Sequence, residues 1–265
     1  MVSLWTTDKS KGIIMKPLYI ASCSFGKDSI ATILLALEHN EPLDKVVFAE
    51  VMYDHKRGIS GEIPEHIDWI YSVAIPKLKQ MGVNVDVVKA QKDYVHFFHS
   101  AVGGGRHKGK IYGFPIGGMC TVNRECKLKP IRDYYRQFEG EIVQYVGIAI
   151  DEPKRLARIK GKGKISKVSL LAKYGYTEEM AKLKCEEYGL LSPIYEKGTR
   201  GGCWFCPNCK MATLAEFKLK HPQLWDDLGR LSLTPNLCSY GFKYGKTFQE
   251  IDKKIDYINA QGELF

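Results

Sequence analysis

An α/β fold with a parallel sheet and helices on both faces is predicted by three observations. Short apolar runs rich in β-branched residues alternate along the chain with segments of helical periodicity. The best-defined of these alternations, PLYIASC followed by IATILLAL, is joined by the polar hexapeptide SFGKDS, Ser24 to Ser29. The chain has 265 residues, of which 45% are hydrophobic and 26% charged, enough to bury a large core and unlike any disordered or collagen-like composition.

The elements follow in order. Pro17 to Cys23 reads as a buried strand, and Ile30, Ile33, Leu34 and Leu37 place a helix from about Asp28 or Ser29. KVVFAEVMY, Lys45 to Tyr53, is a second strand. Pro64 to Met81 is a helix, with Glu65 in its first turn and Gly82 past its end. VNVDVVKA is a third strand, and EIVQYVGIAI, Glu141 to Ile150, is a fourth, continuous enough for the middle of a sheet. GGGRHKGKIYGFPIGG, Gly103 to Gly118, reads as a basic mobile loop or lid, and GKGKISK, Gly161 to Lys167, as a second basic loop. Strands are expected to stop near residue 160. KYGYTEEMAKLKCEEYGL and ATLAEFKLKHPQLWDDLGRL then look helical, apart from Pro222. The expected organisation is an α/β domain over 1–160 and a mainly helical, cysteine-containing appendage over 161–265.

There are 39 Lys+Arg against 30 Asp+Glu, a formal charge of +9, which favours anionic partners: nucleotides, nucleic acid or sulfated metabolites. No secretion signal and no run of about 18 apolar residues is present, so a cytoplasmic protein without a membrane partner is expected.

SFGKDS has the chemistry of an anion site at the start of a helix. Gly26 allows backbone torsions that other residues resist, so that amides can converge on one oxygen, Ser24 and Ser29 offer hydroxyls, Lys27 offers charge, and the helix adds unpaired N–H groups. Asp28 belongs beside phosphate only if it holds a cation or caps the helix. Two familiar phosphate loops are excluded. A Walker A loop needs glycine where Ala21 stands, and a GxGxxG fingerprint needs it at Ser24.

Ser-x-Gly-x-Asp-Ser after a first strand resembles the PP-loop of the adenine-nucleotide α-hydrolase superfamily. GIAIDEPKRLARI, Gly147 to Ile159, and CKLKPI, Cys126 to Ile131, are similar to segments of its phosphoadenosine phosphosulfate (PAPS) reductase-like branch, in the same order. The resemblance covers roughly residues 15 to 160. It implies a Rossmann-like PP-loop (HUP-type) domain that binds ATP, or PAPS, with Mg2+. It places Ser24, Phe25, Gly26, Lys27, Asp28 and Ser29 on the phosphates and Gly147, Asp151, Arg155 and Arg158 near the nucleotide. Adenine falls by topology near Ala49 to Val51. In catalysis Ser24, Gly26 and Ser29 hold the β,γ-phosphates, Lys27 neutralises charge on departing pyrophosphate, and Asp28 engages the metal. Arg155 and Arg158, three residues apart, suit a solvated helix face equally well.

Eight cysteines in a reducing compartment point to metal or redox work rather than disulfides. RGGCWFCPNCK spaces Cys203, Cys206 and Cys209 two residues apart, but Thr213 stands where a ferredoxin-type run has its fourth cysteine. Cys120 or Cys126 supplies the missing ligand, so five thiols compete for four places. The similarity to cluster-bearing PAPS reductase-like proteins implies a [4Fe-4S] cluster; zinc suits the same thiolates, and free thiols doing persulfide chemistry are a third reading. Cys185 and Cys23 read as packed small hydrophobes. His96, His99 and His107 read as exposed loop side chains.

The chain ends in IDYINAQGELF, without the Glu-Cys-Gly-Leu/Ile-His tail that supplies the thiol of assimilatory PAPS reductases. Three functions are therefore weighed: an ATP-dependent sulfurtransferase with an iron–sulfur cluster, a sulfonucleotide reductase with an atypical thiol, and a nucleotide-binding sensor without turnover. The expected partners are a nucleotide, an anionic acceptor such as tRNA or DNA, and a sulfur donor or thioredoxin-like protein. A homodimer is an open arrangement.

Overall fold

The computed structural model describes residues 6–7, 14–116, 120–195 and 201–262. They form two compact units. The first takes in the chain up to Ala49, Pro64–Val88 and Pro130–Gly201; the second takes in Glu50–Ile63, Lys89–Lys129 and the chain from Gly202 onward. Residues 161–195 thus belong with the sheet, not with the cysteine-bearing region.

The first unit is an α/β layer structure on a five-stranded sheet. Its strands are β1 Leu18–Cys23, β2 Lys45–Glu50, β3 Val85–Lys89, β4 Ile142–Tyr145 and β5 Ile165–Val168, in the order β3-β2-β1-β4-β5. β1 pairs in parallel with β2 on one side (Ile20 opposite Lys45) and β4 on the other (Leu18 opposite Ile142), and β4 pairs in parallel with β5. The helix α1, Lys27–Glu38, buries every residue from Ser29 to Ala36, as a helix enclosed on all sides must. The helices Leu170–Lys173 and Glu178–Glu187 pack along it. On the opposite side of the sheet, Tyr134 and Tyr135 of the helix Lys129–Arg136 cover Ile20, Val47 and Ile142. The predicted helix over Pro64–Met81 is present as Pro64–Trp69 and Ile75–Gln80, joined by a π turn at Ile70–Ala74.

Three strand expectations are corrected. Strands do not stop near residue 160. The GKGKISK segment turns on a Lys162 N–H to Ile165 carbonyl bond (2.8 Å) and enters β5. β5 lies at the sheet edge, where lysines are tolerated and mask the strand signal. The second strand ends at Glu50, because the Val51 carbonyl accepts from Gly61 N–H (2.7 Å) and Met52–Asp54 folds back on Ile59–Ser60. The fourth ends at Tyr145, where the chain bends away at Gly147.

The second unit is held by an aromatic core: Tyr53, Tyr94, Phe98, Phe114, Trp204, Phe205, Phe217, Trp225, Phe242 and Phe248. The helices Met211–Lys220 and Pro222–Ser232, divided at the predicted Pro222, pack with Phe248–Gly262 around it. The glycine-rich segment is anchored at its base. Val102 N–H bonds the Lys110 carbonyl (2.8 Å), Ile111 N–H the Asn236 carbonyl (2.9 Å), and Phe114 is buried in the core. Only its tip, around Arg106 to Lys110, has the character of an exposed loop, and Gly117 and Gly118 lie outside the described residues. No helix among the described residues is long and apolar enough to cross a membrane.

Leu34 is fully buried in α1. Leu34→Ala is expected to lower the unfolding free energy by about 2–5 kcal/mol, measured by urea denaturation.

Candidate functional site

In the order β3-β2-β1-β4-β5 the connection direction reverses between β1 and β4, which makes the carboxyl ends of these two strands the binding crevice of such a sheet. The Ser24–Ser29 loop leaves β1 there. Phe25, not Gly26, takes the left-handed backbone (φ 57). Its buried ring, edge-on to Phe48 (5.1 Å) and Trp69 (6.5 Å), holds that conformation. Gly26 is extended (φ −71, ψ 157). Space favours glycine there, because a Cβ would lie 3.0 Å from the Tyr195 hydroxyl and that side chain would have to give way. This corrects the torsional reason expected for that glycine.

Ser29 is buried and holds the loop together. Its hydroxyl donates to the Gly26 carbonyl (2.9 Å) and accepts from Ser24 N–H (3.2 Å) and the Cys23 thiol (3.6 Å). His66 Nε2 lies 3.4 Å from the Ser24 carbonyl, and Tyr195 accepts from Lys27 N–H (3.2 Å). Gly26 caps α1 through its backbone: its carbonyl accepts from Ser29 N–H (3.0 Å) and Ile30 N–H (3.1 Å), and the Lys27 N–H is taken by Tyr195.

The loop from β4 crosses this helix start. A Cβ on Gly147 would lie 2.7 Å from the Asp28 carbonyl carbon and 2.8 Å from Ser29 N, so only glycine fits. Beyond it, carboxylate oxygens of Asp28, Glu152 and Glu178 lie within 4.8 Å of one another, all half-buried. Lys27 Nζ reaches Asp28 (2.7 Å) and Glu178 (3.5 Å). Burial pushes the Asp28 carboxyl above the usual carboxylate range, Lys27 pulls it back, and the charges of Glu178 and Glu152 push it up again. Three hard oxygen donors suit a divalent cation such as Mg2+, which would displace the Lys27 ammonium from Asp28 and Glu178.

Of the other sequence-predicted residues, Asp151 is exposed and accepts from Glu178 N–H (3.1 Å), fixing the start of that helix. Arg155 is exposed and bound to Glu152. Arg158 is also exposed. Ala49 and Val51 are buried, Ala49 in the first unit and Val51 in the second, and the Val51 carbonyl is committed to Gly61. Sequence reasoning missed Glu152, Glu178, His66 and Tyr195. Glu152 stood next to a residue that was chosen. Glu178 carries only a generic helix-start signal, and nothing local marks His66 or Tyr195.

The second unit holds the cysteines. Cys203, Cys206 and Cys209 lie on consecutive tight turns, with Cys206 N–H bonded to the Cys203 carbonyl (3.0 Å) and Cys209 N–H to the Cys206 carbonyl (3.1 Å). Trp204 and Phe205, between the first two, anchor this loop in the core, and Cys120, Cys203 and Cys209 pack against the same core. Lys243 fastens the loop from outside, donating to the carbonyls of Pro207 and, at 2.6 Å, Cys209. The Cys209 thiol donates to Cys206, so the Cys206 thiol lies below and the Cys209 thiol above the ordinary cysteine range; burial raises both and Lys243 lowers both. Burial raises the Cys203 thiol, the neighbouring Glu62 adds to this, and Lys127 opposes it. Cys126 is different. It is fully buried, its thiol donates to the Lys92 carbonyl (3.4 Å), and burial pushes it up to about 12.

The donor set fits a thiolate-bound centre: three thiols on one loop, Cys120 close enough to couple electrically to Cys203, and an apolar wall. Among the described residues no three thiols lie within 4.8 Å of one another. Cys23 and Cys185 are buried beside the Ser24–Ser29 loop, as packed thiols; Cys185 donates to the Lys27 carbonyl (3.2 Å).

No protein-family profile matches the chain, and no curated protein matches it. Among solved structures it is similar to the U34-tRNA thiolase NcsA from Methanococcus maripaludis with its [4Fe-4S] cluster, at 15% identity over 90% of this chain and 80% of that one, with a TM-score of 0.40. Similarity at that level assigns neither family nor activity.

Two outcomes test this geometry. Gly147→Ala should cost about 1–3 kcal/mol of stability, read by thermal unfolding, because the new methyl meets backbone that cannot yield. In metal-free protein near pH 7, iodoacetamide should modify Cys206 before Cys209, and Lys243→Ala should slow that reaction; peptide mass spectrometry reports both.

Proposed function

We propose that the protein is an ATP-dependent sulfurtransferase of the PP-loop type, with an anionic acceptor of the nucleic-acid class. The observation that carries this reading is the start of α1, which the backbone at Gly147 approaches closely and beside which Lys27 and the Asp28, Glu152 and Glu178 carboxylates gather. The PP-loop pattern of Ser24–Ser29 gives that position its chemistry.

In this reading the backbone of Ser24 to Ser29 and the start of α1 hold the β,γ-phosphates. An acceptor oxygen attacks the α-phosphorus, the α–β bond breaks, and pyrophosphate leaves. Lys27 stabilises the charge that develops on the leaving group. Asp28, Glu152 and Glu178 would hold the Mg2+ that shields the phosphates. The acceptor is left as an adenylate, and a sulfur nucleophile then displaces AMP from its carbon. Cys203, Cys206, Cys209 and Cys120 would hold a [4Fe-4S] cluster, and such a cluster can bind and deliver sulfur. Cys126, committed to Lys92, serves as a core thiol. The basic tip around Arg106, Lys108 and Lys110 suits a polyanionic acceptor.

Anaerobically purified protein is expected to contain about four irons and four sulfides per chain, with a broad band near roughly 400 nm, and to release pyrophosphate from ATP. Lys27→Ala should lower that release by about 100-fold or more. Sulfite release from PAPS with thioredoxin would make the protein a sulfonucleotide reductase instead. Tight ATP binding with neither product would make it a sensor.

A further inference from the structure

Tyr94 is the first residue of the helix Tyr94–Phe98, which Asp93 caps by accepting from His96 N–H (2.8 Å); the other Asp93 oxygen accepts from His55 N–H (2.7 Å). The helix start is therefore rigid, and so is the Tyr94 ring. It stacks on Phe205 at 4.0 Å, lies 5.4 Å from Tyr53 and meets the edge of Phe98 at 6.1 Å. Phe205 immediately precedes Cys206, so the stack presses Tyr94 against the cysteine loop.

The Tyr94 hydroxyl is buried and has no hydrogen-bond partner among the described residues. A ring in this position needs no hydroxyl: phenylalanine would make the same stacks and leave nothing unpaired. Buried phenols are ordinarily paired, and an orphan donor is costly. The groups that face it electrostatically are Tyr53 and the thiols of Cys203, Cys120 and Cys206. Thiols are weak acceptors, whereas thiolates and sulfides are strong ones.

We propose that Tyr94 is a positioning residue of the cysteine centre, its phenol O–H donating to a thiolate or sulfide once Cys120, Cys203, Cys206 and Cys209 are loaded. This rests on the reading of those cysteines as ligands. Among the described residues of the second unit's aromatic core, the Tyr94 hydroxyl is a buried side-chain oxygen without a partner. A donor to a cluster sulfur stabilises the more reduced, more negative state and so raises the reduction potential.

The test compares the full-length wild type with Tyr94→Phe, metal-free and after anaerobic loading with ferrous iron and sulfide. Metal-free Tyr94→Phe should unfold at the same temperature as wild type or higher, since it loses only an orphan group. On loading, its gain in unfolding temperature should be smaller and its midpoint potential more negative. Equal gains and equal potentials would overturn the proposal, as would a metal-free variant clearly less stable than wild type. If the wild type accepts zinc and no iron–sulfur core, the cluster reading fails, and zinc titration decides Tyr94 alone: affinity about 10- to 100-fold weaker in Tyr94→Phe supports it, and equal affinity refutes it. A wild type that binds neither removes both readings.

Discussion

Parallel pairing on both edges of β1 is the constraint from which the first unit follows. A strand hydrogen-bonded in parallel to β2 and β4 must have its carboxyl end on the same side as theirs. The loops leaving β1 and β4 therefore emerge together, where the sheet order reverses. The backbone of one then runs so close to the helix start of the other that a side chain at residue 147 has no room. The enclosed α1, the buried Phe25 ring and the hydroxyl of Ser29 hold the loop in that place. The carboxylates gathered beyond it come from three separate stretches of chain that the sheet brings to one edge.

Much of the sheet was legible because β1, β2 and β4 are enclosed and their apolar runs are continuous. The fifth strand was not. It lies at the edge with one neighbour, and its lysines made it look like a loop. Strand ends were misread where a residue is claimed by something outside the sheet, as Val51 is by Gly61. In the candidate site, the Ser24–Ser29 motif and Gly147 carry local signals, and the structure brings them together. Glu178, His66 and Tyr195 reach the loop only through tertiary packing, and no local pattern announces that. For Gly26 the residue was right and the reason was not: the left-handed turn falls on Phe25, where burial of the ring compensates for the strained backbone.

The second unit solves a different problem. A cysteine loop rich in tight turns has little regular structure to stabilise it, so its neighbours do the holding. Trp204 and Phe205 bury themselves in an aromatic core, the Trp204 indole donates to the Ser60 carbonyl (2.9 Å), and Lys243 satisfies carbonyls on the far side. Spacing alone left five cysteines for four places. In the structure Cys126 is the fully buried one of the five, and its thiol donates to the Lys92 carbonyl.

The chain passes between the two units five times, after Ala49, Ile63, Val88, Lys129 and Gly201. Neither unit is a contiguous length of polypeptide. On the ribosome, β1, α1 and β2 emerge early, yet β4 and β5, which complete the sheet, follow only after the whole of the second unit's first two segments. The aromatic core waits longer still, for the last helices. Nascent chains thus carry unpaired strand edges and exposed aromatic rings until synthesis is nearly finished. No single cut yields either unit alone: one after Gly201 leaves the first unit's segments whole but still joined to the second unit's first two segments, whose aromatic core has lost its last helices.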